Sequence, residues 1–110
     1  KDGKIRIFRP RENTKRMQNS ADGIMMEAPS TELFMKMVKK AVLLNKEFVP
    51  PHGTGASLYI RPLLIGTGPR VGVKPADEYL FMVFVTPFQP GIYDDYTRFR
   101  SCGTSGHRKI

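Results

Sequence analysis

Apolar and polar residues alternate from Lys4 to Arg9, with Ile5 and Ile7 set against Lys4 and Arg6, which predicts a half-buried strand. Asp2-Gly3 just ahead of it is a hairpin-turn dipeptide, so the chain is expected to open in the middle of a hairpin. Pro10 changes the rhythm. Residues 11–21 suit a short helix, with Pro10 in its first turn, Glu12 near its positive end, Met17 and Ala21 facing inward, and Gly23 ending it. A second helix starts at Pro29-Ser30-Thr31-Glu32, with Ser30 as N-cap. Phe34, Met37, Val38, Ala41 and Leu44 recur at helical spacing and predict its inner face, while Lys36, Lys39 and Lys40 cover the solvated side. Pro50-Pro51 is expected to stop this helix, and residues 52–55 to form a loop.

Ser57 to Ile65 reads as a strand bounded by glycines. Its side chains alternate between faces, so Tyr59 and Arg61 emerge on one side, Leu58 and Ile60 on the other. A tyrosine hydroxyl beside a guanidinium can hold a carboxylate, although an ordinary half-exposed strand has the same pattern. Gly66 to Pro75 is a Gly/Pro-rich loop whose spacing fits neither Gly-rich phosphate signature. Residues 79–85 are apolar at every position, which predicts a strand buried on both faces and central in its sheet, ended by Pro87. The fold class expected is α+β: an antiparallel or mixed β-sheet flanked by two helices.

Net charge changes the picture less than its size suggests. The 110 residues carry a formal charge of +8, which invites a nucleic-acid reading, but the charge sits at the ends. Residues 1–16 hold seven Lys/Arg against Asp2 and Glu12, and residues 98–110 hold Arg98, Arg100, Arg108 and Lys109 with no acid. No continuous basic stripe with interleaved aromatics runs between them, so a specific nucleic-acid site is not expected. An apolar content of 40% fits a folded chain. No apolar run approaches the roughly 20 residues that cross a bilayer, and no signal-peptide pattern opens the sequence. Cys102, the single cysteine, suits a reducing compartment, and a cytoplasmic location is expected. Cys102 and His107 alone fall short of a metal-ligand set, so no metal is expected.

Several blocks carry a family resemblance in one order. They are Phe8-Arg9-Pro10, Asn13, Arg16-Met17, Ser20-Ala21 and Phe48-Val49-Pro50-Pro51, then Ser57-Leu58-Tyr59-Ile60-Arg61-Pro62, Gly66-Thr67-Gly68-Pro69 and Val71-Gly72-Val73. Together with the apolar run at 79–85 they resemble the branched-chain amino acid aminotransferases, pyridoxal-phosphate enzymes of fold-type IV. The likeness covers residues 4–87 and implies that residues 1–87 are part of that family's N-terminal small domain. Residues 88–110 diverge and are expected to be a disordered tail, whether by truncation or frameshift.

The resemblance implies reversible amino transfer between leucine, isoleucine or valine and 2-oxoglutarate, with glutamate and 2-oxo acids as the other partners. It implies that Arg16 contacts the phosphate of pyridoxal 5′-phosphate, a task suited to a planar guanidinium that stays charged. It places Tyr59 and Arg61 in the substrate pocket, and Val71 and Val73 on a loop reaching a neighbouring subunit's pocket in a homo-oligomer. Arg16 and Arg61 should then converge on one hollow. No lysine here lies in a motif matching the family's Schiff-base lysine, so no catalytic residue is assigned. The 110 residues alone are expected to be inactive and not to bind the cofactor. Another fold-type IV enzyme, a D-amino acid aminotransferase or a lyase, would share this architecture, but Tyr59-Ile60-Arg61-Pro62 favours the branched-chain group. A small basic nucleic-acid-binding module is the alternative outside the enzymes.

Overall fold

A computed structural model describes residues 3–89. In chain order it has α1 (Pro10–Gly23), α2 (Thr31–Leu44), a 3₁₀ turn at Lys46–Phe48, β1 (Ser57–Thr67) and β2 (Glu78–Phe88). The class is α+β, as expected. α1 rests on α2, and α2 packs against β2, so the helices form two layers on one side of a hairpin.

Both helices begin where the sequence signals them. Pro10 occupies the first helical turn of α1, where its missing N–H removes a donor that would have had no partner anyway. Ser30 caps α2: its hydroxyl accepts from the Leu33 N–H at 3.2 Å, satisfying one of the orphan donors of the first turn. α1 ends at Gly23, as expected. The left-handed residue is Met25 (φ 55°), and the chain closes there with Met25 N–H donating to the Asp22 carbonyl at 3.1 Å and Met26 N–H to the Ala21 carbonyl at 2.8 Å. These are the 5→2 and 6→1 bonds of a Schellman cap.

The core is small and lies between the helices and the sheet. Phe34, Val38, Val42, Ala21 and Thr14 are buried. On α2 the inner row is 34-38-42, a pure i+4 ridge. Leu44, expected inward, is 71% exposed, because two residues past Val42 turns it to the far side of the helix. Thr14 is buried without penalty, since its hydroxyl donates to the Pro10 carbonyl at 3.0 Å. Phe34 meets the sheet by stacking on Phe81 with ring centroids 5.7 Å apart. Pro50-Pro51 does not end α2: the helix stops at Leu44, where the Asn45 side chain donates to the Ala41 carbonyl at 2.8 Å.

β1 and β2 form an antiparallel two-stranded sheet in register from Ser57↔Phe88 to Thr67↔Glu78. Three strand expectations need correction. Residues 4–9 are not assigned as a strand: among the described residues the sheet consists of β1 and β2. β2 is not central and not buried on both faces; Leu80 is 44% and Phe84 52% exposed, because α2 covers one face alone. Pro87 does not end β2 but pairs with Leu58. A proline is tolerated there, as is Pro62 in β1, because each strand of a two-stranded sheet keeps an open edge that needs no donor. The expected tail at 88–110 falls outside the described residues from position 90 onward, and so do Cys102 and His107.

Candidate functional site

The pleat sorts the sheet into two chemically different faces. Leu58, Ile60, Pro62 and Leu64 pair with Pro87, Val85, Val83 and Phe81; this is the face α2 covers through Phe34 and Phe81. Tyr59, Arg61 and Leu63 pair with Thr86, Phe84 and Met82 on the open face. There the Arg61 guanidinium carbon lies 5.7 Å from the centre of the Tyr59 ring, within reach of a cation–π attraction. The open face therefore offers one cation and one phenol amid apolar side chains. A carboxylate can bind at the guanidinium and an aliphatic group beside it.

Phe84, Leu63 and Met82 belong to this face, and sequence reasoning missed them. The alternation along each strand was visible, but which residue of β2 sits opposite Arg61 depends on the hairpin register. A ten-residue loop leaves that register open.

Arg16 lies on an exposed side of α1. One of its Nη atoms donates to the Asn13 side-chain oxygen at 2.8 Å, and Asn13 in turn donates to the Arg9 carbonyl at 3.1 Å. This relay points the guanidinium toward the N-terminal end of the helix and leaves its other donors open to water. Such a donor set fits a phosphate dianion, though it encloses nothing.

Arg16 stands on α1 and Arg61 on β1. α2 touches both α1 and the sheet, and the pleat turns Arg61 to the sheet face opposite the one Phe34 meets through Phe81. Two cavities stand out elsewhere. One of about 520 Å³ is lined by Arg9, Pro10, Arg11, Glu12 and Met35, and one of about 390 Å³ lies under the loop joining β1 to β2. Neither is lined by Arg16, Tyr59 or Arg61. By their chemistry the donors of Arg16 suit a phosphate group such as that of pyridoxal phosphate.

Val71 and Val73 stand on the β1–β2 loop, fully exposed at 107% and 106%. Among the described residues no group of three His, Cys, Asp or Glu could hold a metal ion. No helix among them is long and apolar enough to cross a membrane.

No protein-family model matches the chain. Individual relatives do. The chain is 44% identical over 96% of its length to a branched-chain-amino-acid aminotransferase of Haemophilus influenzae, and 46% identical over 88% to one of Helicobacter pylori. It is 54% identical over 78% of its length to branched-chain-amino-acid aminotransferase 5, chloroplastic, of Arabidopsis thaliana. The first of these alignments omits 4% of the chain and so extends past Pro87. The chain spans 34%, 30% and 20% of the length of these three relatives. Over that shared stretch, the chain belongs to the branched-chain-amino-acid aminotransferase family.

Proposed function

We propose that this chain supplies the small-domain side of a pyridoxal-phosphate site for reversible amino transfer between branched-chain amino acids and 2-oxoglutarate. The observation that carries the reading is the open face of the sheet, where Arg61 and Tyr59 stand among Leu63, Met82 and Phe84. Such a wall suits the two half-reactions. An aliphatic side chain packs on the apolar residues in one, and the distal carboxylate of glutamate pairs with Arg61 in the other. Residues 1–87 form the small-domain part.

Pyridoxal phosphate, when bound, supplies the electron sink that makes the substrate's α-proton removable. Arg16 holds its phosphate, with Asn13 fixing the direction of the guanidinium. Tyr59 and Arg61 orient substrate, and the open sheet face waits for a second layer to exclude water. Val71 and Val73 enter the pocket of a neighbouring copy, so the working form is a homo-oligomer. By themselves the 110 residues neither hold the cofactor nor transfer an amino group. The compartment is the cytoplasm; the plant relatives with chloroplastic names show that the family also works elsewhere.

Grafting tests this reading. Residues 4–87 replace the matching segment of the Haemophilus influenzae relative, and leucine-dependent formation of glutamate is measured. The graft is expected to transaminate, while the 110-residue chain mixed with pyridoxal phosphate, leucine and 2-oxoglutarate does not. A graft that folds and takes up cofactor yet transfers nothing would overturn the assignment.

A further inference from the structure

We propose that Arg70 and Asp77 are positioning residues that clamp the β1–β2 loop, so that Val71 and Val73 project from it as a fixed pair. What the pair docks into rests on the function proposed above, a pocket of a second copy; the clamp rests on geometry alone. Residues 68–77 arch over a cavity of about 390 Å³, so packing on a core does not set the loop's course. Ties across the loop must do so instead. An Arg70 Nη meets the Asp77 carboxylate at 2.6 Å, joining the outgoing limb to the returning one, and the Arg70 N–H donates to the Gly68 carbonyl at 2.9 Å.

At the foot of the loop Ala76 sits so close to Gly66 that a Cβ at position 66 would lie 2.8 Å from the Ala76 Cβ. Only glycine allows the returning limb to seat there. Between these anchors the chain turns through Gly72 at φ 145°, a conformation that residues with side chains rarely adopt. The valines on either side are β-branched and stiff about χ1. Once the backbone is held, they form an apolar tip of set shape, preorganised for docking.

Asp77 is the residue to change, because Lys74 lines the same cavity and can replace a lost arginine. Both partners are more than half exposed, so the pair contributes modestly, and its loss should open the loop about 2- to 5-fold more often. Trypsin cleavage after Arg70 in the full chain reads this opening, with rates normalised to a free peptide of residues 66–78 carrying the same substitution. Asp77→Asn should raise the rate about 2- to 5-fold at an unchanged thermal midpoint. Asp77→Glu should restore slow cleavage, and high salt should speed the unsubstituted chain but not the Asn variant.

An unchanged rate in Asp77→Asn overturns the clamp, as does a rise matched by a fall in thermal midpoint. Sedimentation of a Val71→Ser/Val73→Ser chain reports separately on docking. Unaltered self-association overturns docking into a second copy, while the cleavage rates alone decide whether the clamp exists.

Discussion

Met25 adopts a left-handed backbone conformation (φ 55°), which costs a residue bearing a Cβ about 1–2 kcal/mol. Its side chain is 72% exposed, so little packing is lost if it is removed. Met25→Gly should therefore stabilise the fold by about 0.5–1 kcal/mol, the gain reduced by glycine's freer unfolded state. A raised urea midpoint at unchanged slope is the expected reading. At this scale the sequence was partly legible. Ser30 announced its capping role, because a hydroxyl at an N-cap acts over three residues of chain. Met25 did not, because the 6→1 and 5→2 bonds that end α1 are formed by backbone groups and leave no mark on side-chain identity. Gly23, the visible signal, is the last residue of the helix, and the left-handed turn that closes it follows two residues later at Met25.

Elements were legible where neighbours in sequence decide them and illegible where partners in space do. The i+4 row Phe34-Val38-Val42 follows from helix geometry, and the alternation along β1 from the pleat. The strand expected at 4–9 is not part of the described sheet, which is β1 and β2, because alternation within six residues does not fix what a strand pairs with. The run 79–85, apolar throughout, implied cover on both faces, yet α2 covers one. Phe34 joins the layers, being 1% exposed and stacked on Phe81. A two-stranded sheet is marginal in water without such cover. Phe34→Ala should cost about 3–5 kcal/mol, a large share of the total stability of a small domain. Circular dichroism during urea unfolding should show the helix and sheet signals failing together at much lower denaturant.

For the whole molecule, the family could be read from separated blocks of sequence, whereas the composition of the sheet face needed the hairpin register. Arg16 and Arg61 were expected to share a hollow; they stand on different elements, α1 and β1, and the pleat turns Arg61 to the sheet face that Phe34 does not cover. A face that combines a guanidinium with Leu63, Met82 and Phe84 is therefore open to receive another layer. In the function proposed, Arg61 reads the carboxylate of one substrate while its apolar neighbours read the aliphatic chain of the other. The direct measurement is KM for each substrate in the grafted enzyme with Arg61→Ala. Loss of a charge-assisted hydrogen bond, worth about 1.5–3 kcal/mol, should raise KM for 2-oxoglutarate by roughly 10- to 150-fold and leave KM for leucine within about 2-fold. Equal changes for both substrates, or none for either, would contradict this division of labour on the sheet face.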